Sequence, residues 1–287
     1  MKKLLILSGK GGTGKTTVAS SFIHLLKTKT YADCDVDAPN LHITATPHGK
    51  PEIQNFYGLP KPKIDLSKCI ECKKCLEHCK FDAISYQDRI TIDPYACEGC
   101  GTCKFVCPTQ SITMEESVSG QTYIYHDEIV FSTAKLKMGA GASGKLVSEV
   151  KKNMDKYAKD NIAIIDGSPG IGCPVIASMT GVDMVLVVTE PTVSGISDLQ
   201  RILETANYFK VKCAVCINKY DINRDNTEAI KHYCNQHKIE VVGMIPFDKM
   251  ASKAINEGKN IVEMDSCAGR ALRHILEHTL NILNKTI

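Results

Sequence analysis

The sequence lacks several features that would assign the chain to a class at once. Its 287 residues contain no tryptophan, few aromatic residues and no apolar run close to the roughly 20 residues of a membrane-spanning helix. The formal net charge is only +3, so no strong field favours a nucleic acid or a membrane surface as partner. These absences predict a globular protein with no nucleic-acid partner and no stable membrane insertion.

The N-terminal segment also lacks the length of a signal peptide. MKKLLILSGK begins with a charged pair, but its apolar run is short and a glycine-rich loop follows at once. We expect a buried strand here and a cytoplasmic protein. Because disulfides are rare in that compartment, the fourteen cysteines indicate metal ligation, and eight of them lie between Cys69 and Cys107.

Short apolar runs alternate with helical patterns along most of the chain. The runs include KKLLIL, YIYHDEIVFSTAKL, NIAIIDGSP, DMVLVVTEP, CAVCINKYD and EVVGMIPFD. This alternation predicts an α/β fold with a mostly parallel sheet covered by helices on both faces. The stretch TPHGKPEIQNFYGLPKPKIDLSK has the composition of a linker or an irregular excursion. We therefore divide the chain into a large domain of residues 1–60 and 118–287 and an inserted small α+β domain of residues 61–117.

The segment GKGGTGKT, from Gly9 to Thr16, fits the phosphate-loop pattern G-x-x-x-x-G-K-[ST] between a predicted strand and a predicted helix. In such a loop, backbone N–H groups and the helix N-terminus hold phosphate oxygens. Lys15 would reach the β- and γ-phosphates of ATP or ADP, and Thr16 would offer its hydroxyl to Mg²⁺. The other residues expected around the nucleotide are Gly11, Gly12, Thr13, Gly14 and, at the α-phosphate, Thr17.

A second lysine, Lys10, makes the loop read KGGTGKT, and with it the sequence resembles the deviant Walker A ATPases of the MinD/ParA type. The resemblance implies an ATP hydrolase that forms a homodimer, in which Lys10 reaches the partner's nucleotide. It also implies a switch I carboxylate in DCDVDAPN, with Asp35 positioning the attacking water and Asp33 beside the Mg²⁺ shell. Asp37 is an alternative to Asp35. Catalysis would then depend on Lys10, Lys15 and Asp35.

The same resemblance extends to later segments. IIDGSPGIG would end its strand at Asp166, which would bind the Mg²⁺ water shell, and would bring the amide of Gly170 to the γ-phosphate. CINKYD would place Asn218 at the adenine edge, and IPFD would place Pro246 beside the base.

The clustered cysteines form two runs with the spacing C-x₂-C-x₂-C-x₃-C of two-cluster bacterial ferredoxins. The chain thus resembles MinD/ParA-type ATPases with an inserted ferredoxin domain. Because the fourth cysteine of each run ligates the other cluster, two 4Fe–4S clusters are expected, with structural zinc as the competing interpretation. The first ligand set is Cys69, Cys72, Cys75 and Cys107, and the second is Cys97, Cys100, Cys103 and Cys79.

Several other residues have a structural interpretation. Cys213 and Cys216 would point to opposite faces of one strand, and we expect them to be buried small side chains, as are Cys34, Cys234 and Cys267. Cys173 has either such a role or contact with a metal or thiol. The glycine-rich loop 138–144 is either a partner-docking loop or a plain connection. The C-terminal helix should pack on its own domain through Leu272, Ile275, Leu276 and Leu283.

Three functions fit these features. The first is an ATPase that works with a cofactor-assembly partner in assembly or transfer of a metal–sulfur centre. The second is an ATP-gated electron donor to a redox enzyme, as in nitrogenase-reductase-like proteins. The third, a ParA-like positioning switch, is disfavoured by the weak net charge. We favour the first.

Overall fold

A computed structural model describes residues 1–45, 47 and 49–285 of the chain. The elements before the cysteine-rich segment are strand β1 (Lys2–Leu7), helix α1 (Lys15–Leu26), strand β2 (Thr30–Asp33), helix α2 (Leu41–Ala45) and strand β3 (Glu52–Tyr57). The cysteine-rich segment contains strand β4 (Lys61–Ile64), helix α3 (Lys74–Glu77), strands β5 (Ile84–Tyr86) and β6 (Ile90–Ile92), helix α4 (Thr102–Phe105) and strand β7 (Ile112–Glu115).

The elements after the cysteine-rich segment alternate between strand and helix. They are strands β8 (Val118–Tyr125) and β9 (Val130–Leu136), helix α5 (Ser143–Tyr157), strand β10 (Ile162–Asp166), helix α6 (Cys173–Met179), strand β11 (Met184–Thr189), helix α7 (Val193–Tyr208), strand β12 (Lys212–Asn218), helix α8 (Arg224–Gln236), strand β13 (Glu240–Ile245), helix α9 (Lys249–Asn256), a 3₁₀ turn (Ile261–Glu263) and helix α10 (Cys267–Asn284).

One large sheet organises the described part of the chain. Its nine strands follow the order β13-β12-β11-β1-β10-β2-β9-β8-β3. Neighbouring strands from β13 to β9 are parallel, whereas β8 and β3 pair antiparallel at one edge. Parallel strands bring their carboxyl ends to the same edge of the sheet, so the loops after β1, β2 and β10 lie together.

Helices cover both faces of this sheet. One apolar cluster contains Leu5 and Leu7 of β1 together with side chains from α5, α6, α7 and α8. The other contains Leu4 and Ile6 of β1 with side chains from α1, α9 and α10. Because successive residues of a strand point to opposite faces, β1 is buried on both sides. The predicted α/β fold with a mainly parallel, two-sided sheet is confirmed.

The prediction of an irregular stretch before the cysteines is wrong for β3 and β4. In β3 only Phe56 is buried, and the other side chains are exposed. A strand with one buried residue has almost no hydrophobic periodicity, so its sequence does not distinguish it from a linker. Pairing with β8 makes it a strand. Residues 46 and 48 of this stretch lie outside the described residues.

The apolar run YIYHDEIVFSTAKL is two strands, not one. Its two halves are the end of β8 and β9, which pair antiparallel, with Tyr125 opposite Phe131. The polar residues between them form the turn, which the apolar character of the whole run conceals.

The cysteine-rich segment forms two small antiparallel sheets, β4 with β7 and β5 with β6. Lys61 of β4 lies opposite Glu115 of β7, so the chain enters and leaves the segment side by side. Ile84, Ile90 and Ile112 form its small apolar centre with Cys75.

Helix α10 packs on its own domain, as predicted. Its four expected contact residues, Leu272, Ile275, Leu276 and Leu283, are all buried. Within the described residues, no helix combines the length and the apolarity needed to cross a bilayer.

The isolated cysteines follow their predictions with two exceptions, the partly buried Cys213 and the exposed Cys267. Cys216 is buried on one face of the large sheet, and Cys213 packs on the other. Cys34 and Cys234 are buried as well. Cys267 is exposed, because it begins α10 at its solvent side and contacts the Arg270 guanidinium, with Sγ 3.3 Å from Nη2.

Candidate functional site

A cavity of about 600 Å³ opens at the carboxyl ends of β1, β2 and β10. The phosphate loop forms its floor, and residues after β2 and β10 form one side. The opposite wall comes from α9 and the 3₁₀ turn, through Ala254, Ile255 and Ile261. A concave site with an apolar wall and a glycine-rich floor is suited to a nucleotide.

Lys15 and Asp166 form a buried ion pair at the base of this cavity. The ammonium of Lys15 lies 2.6 Å from Oδ1 of Asp166, and the hydroxyl of Thr16 donates to Oδ2 at 2.7 Å. Burial alone would lower the pKa of Lys15, but the charge and hydrogen bond of Asp166 outweigh it and raise that pKa. Lys15 and Thr16 of the phosphate loop therefore meet Asp166, which lies 150 positions further along the chain from Thr16.

Asp33 is a fully buried carboxylate behind this pair. It accepts hydrogen bonds from the backbone N–H groups of Asp35, Asn40 and Leu41 at 3.0, 2.9 and 3.0 Å. Burial, with the repulsion of nearby Asp166, raises the pKa of Asp33 to about 7. Its bonds fix the loop after β2, so Asp33 sets the position of the residues that face the cavity.

Asp35 and Asp37 both line the nucleotide cavity. Asp35 is partly buried, and burial is the main cause that raises its pKa. Asp37 is exposed at the rim. The structure places both candidates for orienting water within the same cavity, and Asp35 lies in the less solvated position.

Lys10 is held by its own chain in this structure. Its ammonium donates to the hydroxyls of Thr192 and Ser194 at 3.2 and 3.3 Å and lies 3.9 Å from Oε2 of Glu190. Glu190 also pairs with Lys219 at 2.5 Å. Sequence reasoning missed this acceptor group, although the polar TEPTVS directly after an apolar strand is a signal that could have indicated it.

The remaining predicted nucleotide contacts lie at the edges of the loop. The N–H of Gly170 donates to the carbonyl of Ser8 at 2.9 Å. The amide of Asn218 donates to the carbonyl of Thr13 at 2.8 Å, which buttresses the phosphate loop. Pro246 lines a second cavity of about 250 Å³, which Asn218, Gly12, Gly14 and Thr17 also border. This second cavity lies next to the first and shares its phosphate-loop residues.

Asn260 is a cavity residue that sequence reasoning missed. It is buried, accepts from the hydroxyl of Ser21 at 3.0 Å, and begins the 3₁₀ turn in a capping box with Glu263. The pattern N-x-x-E, with an apolar pair between its two ends, could have indicated that cap, but its place beside the phosphate loop depends on the fold.

The eight clustered cysteines line two small cavities in the cysteine-rich segment. Each cavity holds the first three cysteines of one run and the fourth of the other. The first cavity is lined by Cys69, Cys72, Cys75 and Cys107, and the second by Cys79, Cys97, Cys100 and Cys103. No group of three or more His, Cys, Asp or Glu side chains in residues 1–45, 47 and 49–285 is arranged to hold a single metal ion.

The thiols of the first cavity have distinct environments. Burial raises the pKa of Cys75. Burial acts in the same direction on Cys107, but hydrogen bonding to Ser111 and Thr109 outweighs it and lowers the pKa of that thiol to about 7. The Sγ of Cys107 lies 3.1 Å from the hydroxyl of Ser111. A thiolate is the form that binds metals, and these hydroxyls favour it.

Two partial similarities concern iron–sulfur proteins. The cytosolic Fe-S cluster assembly factor NBP35 of Eremothecium gossypii is 22% identical over 193 residues, which cover 58% of each chain. A ferredoxin of Mycolicibacterium smegmatis is 33% identical over 88 residues, which cover 30% of this chain and 79% of the ferredoxin.

Similarity over the full length defines the family. An uncharacterized protein of Methanocaldococcus jannaschii is 33% identical over 280 residues, covering 96% of this chain and 95% of the relative. The fold is similar to the septum site-determining protein MinD of Pyrococcus horikoshii, solved with Mg-ADP, at a TM-score of 0.59 and 18% identity, covering 100% and 98% of the two chains. Residues 4–261 match the CobQ/CobB/MinD/ParA nucleotide binding domain, and the chain belongs to this family.

Proposed function

We propose that the protein is a homodimeric, Mg²⁺-dependent ATPase that carries two 4Fe–4S clusters and acts in the assembly or transfer of a metal–sulfur centre. One observation carries the proposal: a single chain combines a phosphate-loop cavity with two cavities that are each lined by four cysteines. Partial similarity to a named Fe-S assembly factor supports the assembly role, and partial similarity to a ferredoxin supports the clusters.

The phosphate loop has the space and the charge for a nucleotide. A β-carbon placed on Gly11 or Gly12 would meet no atom within 4 Å, so the loop surface is open to phosphates. Lys15 would leave Asp166 for the β- and γ-phosphates. Asp166 would then be a buried carboxylate without its cation, which is costly, so Mg²⁺ must replace the ammonium there, with the hydroxyl of Thr16 as a ligand. Nucleotide and Mg²⁺ should therefore bind together.

Hydrolysis requires three further groups around the γ-phosphate. Asp35 orients the attacking water from its partly buried position in the cavity. Gly170 exchanges the carbonyl of Ser8 for a phosphate oxygen. Lys10 leaves Glu190 and its neighbouring hydroxyls and supplies a positive charge to the nucleotide of the partner subunit, as a cation does when charge develops in phosphoryl transfer.

The cysteine cavities fit 4Fe–4S clusters in the number, type and grouping of their ligands. The first cluster would use Cys69, Cys72, Cys75 and Cys107, and the second Cys79, Cys97, Cys100 and Cys103. Bound there, the clusters supply one-electron chemistry or the metal–sulfur unit that is passed on. The side chains of Ile64, Ile90 and Ile112 give the first cavity an apolar lining beside its cysteines.

An ATP-gated electron donor is the second candidate function. It is favoured by the exchange of one cysteine between the two cavities, because that exchange places the two ligand sets side by side in one small segment. Adjacent clusters can pass electrons in series. The partner would then be a redox enzyme instead of an assembly protein.

Iron analysis tests the proposal. Anaerobically purified protein should contain about eight iron and eight sulfide per chain, with broad visible absorption, as two 4Fe–4S clusters require. Cys79→Ala should lower the iron content, whereas Cys267→Ala, an exposed cysteine outside both cavities, should not. Stoichiometric zinc without visible absorption would contradict the proposal.

A second experiment separates the two candidate functions. ATP-dependent delivery of iron to an apo-acceptor supports the assembly function, and ATP-dependent reduction of an acceptor without loss of iron supports the second candidate.

A further inference from the structure

The loop after Asp166 connects the nucleotide cavity to helix α6. Ser168 and Pro169 of this loop and Pro174 of α6 line the cavity. The hydroxyl of Ser168 also donates to the carbonyl of Cys34 at 2.5 Å, so the loop is joined to the strand end that carries the switch carboxylates. The loop and the start of α6 therefore both border the cavity proposed for the nucleotide.

Lys151 joins α6 to α5. It is buried, and its ammonium donates to the carbonyls of Ala177, Ser178 and Thr180 at 3.0, 2.7 and 2.5 Å. These carbonyls lie at the C-terminal end of α6, where they have no partner within the helix and attract a cation. Charge-assisted bonds from a buried ammonium are strong, so Lys151 ties α5 to the C-terminal end of α6.

The first turn of α5 also packs closely on the first turn of α6. A β-carbon placed on Gly144 would lie 3.2 Å from the carbonyl oxygen of Cys173, so the two backbones approach without a side chain between them. Together with the bonds of Lys151, this contact means that α5 meets both ends of α6. Lys145, the next residue of α5, has its ammonium 3.1 Å from the carbonyl oxygen of Tyr57, to which it donates beside the entry to the cysteine-rich segment.

The glycine-rich loop before α5 contacts the cysteine-rich segment. A β-carbon placed on Gly139 would lie 3.1 Å from Cδ1 of Tyr95, and one on Gly141 would lie 3.4 Å from Oε2 of Glu98. Tyr95 and Glu98 flank Cys97 in the sequence, and Cys97 lines the second cysteine cavity. The loop therefore lies between α5 and the ligand set that contains Cys97.

We infer that α5 and the glycine-rich loop before it transmit the nucleotide state of the phosphate-loop cavity to the cysteine cavity that contains Cys97. Lys151 is the positioning residue at one end of this connection, and Tyr95 and Glu98 receive the movement at the other. The inference rests on the proposed function, because it needs both the nucleotide and the clusters. A shift of the Glu98 carboxylate would change the charge near Cys97 and with it the reduction potential of a cluster held by that ligand set.

Hydrogen exchange measured by mass spectrometry tests this connection within one chain. Exchange of the anaerobically purified protein is measured under two conditions, with Mg²⁺ alone and with Mg²⁺ plus a non-hydrolysable ATP analogue. In the unaltered protein, the analogue should slow amide exchange of residues 95–101 by about fivefold, the low end of typical coupling between sites. Lys151→Met, which keeps the apolar stem, should still bind the analogue but lose this response. Lys152→Met is the matched control, because its side chain on the same helix is 78% exposed, and it should keep the response.

A second readout follows the clusters themselves. The electron paramagnetic resonance spectrum of the reduced protein should change with the analogue for one of its two clusters, and this change should be absent in Lys151→Met. If Lys151→Met does not fold, the double variant Tyr95→Ala/Glu98→Ala tests the other end of the connection. This double variant should also lose the response to the analogue. A protein without iron, or without analogue binding, would contradict the proposed function. A loaded, nucleotide-bound protein in which residues 95–101 do not respond, or still respond in the variants, would overturn the inference alone.

Discussion

Asp166 pairs with Lys15 in this structure, and under the proposed function Mg²⁺ would take the place of Lys15 when the nucleotide binds. Its carboxylate is fully buried, and so is that of Asp33 beside it. The two carboxylates repel each other, which contributes to the raised pKa of Asp33. The ammonium of Lys15 offsets this repulsion in the nucleotide-free protein.

Lys15→Ala should therefore affect stability as well as binding. It removes the phosphate contact, so nucleotide binding should be lost. It also leaves the buried Asp166 carboxylate without its cation, although the Thr16 hydroxyl still donates to it, and such a loss typically costs about 3 kcal/mol in the free energy of unfolding. Urea denaturation without nucleotide measures this loss. Lys231→Ala, on the surface of α8, is the control and should change the free energy by less than about 0.5 kcal/mol. An unchanged midpoint for Lys15→Ala would mean that the pair contributes no stability.

Asp35→Asn should separate binding from hydrolysis. The amide keeps the shape of the side chain but is a poorer hydrogen-bond acceptor for water, so kcat should fall by about 100-fold while nucleotide affinity changes little. Asp37→Asn is the matched variant at the exposed rim and should lower kcat by less than about threefold. Steady-state ATP hydrolysis and equilibrium nucleotide binding give the two quantities. The opposite pattern would assign the water-orienting role to Asp37.

At the scale of elements, the two ends of the large sheet are stabilised differently. β3 is an edge strand with one buried side chain, and backbone pairing with β8 holds it. At the other edge, α10 covers β13 through a continuous apolar face, and Ile275 packs so closely that a β-carbon on Gly243 would lie 2.6 Å from it. The C-terminal helix is thus part of the core.

Ile275→Ala tests the contribution of α10. The side chain is 2% exposed, and its truncation leaves a cavity against β13. The free energy of unfolding should fall by about 2–5 kcal/mol. Glu277→Ala, two residues further on the exposed face, should change it by less than about 0.5 kcal/mol. Thermal and urea unfolding of the two variants measure the difference. Equal effects would mean that α10 is not docked in solution.

At the scale of the whole molecule, the proposed role of Lys10 would make the nucleotide site depend on a partner subunit. In the single chain its ammonium is satisfied by Thr192, Ser194 and Glu190, so release to a partner must be compensated by contact with the nucleotide there. ATP should therefore favour a dimer, because buried γ-phosphates need the cations of both subunits.

Mixing two inactive variants tests this arrangement. Lys10→Ala should bind nucleotide but neither dimerise nor hydrolyse it, and Lys15→Ala should not bind it. In a mixed dimer, the Lys10→Ala subunit holds the nucleotide and its partner supplies an intact Lys10. Because neither variant forms a dimer with itself, the dimers are mixed and have one competent site of two, so up to about half of the unaltered activity should return. No recovery, with an oligomeric state that is independent of ATP in light scattering, would mean that Lys10 has no role in trans.

Part of this protein could be predicted from the sequence because its signals are local. The phosphate loop needs glycines, a lysine and a hydroxyl within a few residues, and the cysteine runs need thiols at fixed short spacings. Buried parallel strands are continuous apolar runs, so β1 and β10–β13 were predicted in their order. The physical constraint in each case acts between close neighbours along the chain.

The tertiary structure decided everything that depends on contacts between distant segments. Lys10 meets Glu190 across 180 positions, and Lys151 meets the end of α6 across nearly 30. β3 is a strand through its pairing with β8, and the glycine-rich loop has Tyr95 and Glu98 of the cysteine-rich segment as neighbours. No local periodicity encodes such contacts, because their free energy comes from burial and hydrogen bonds that form after the chain has folded.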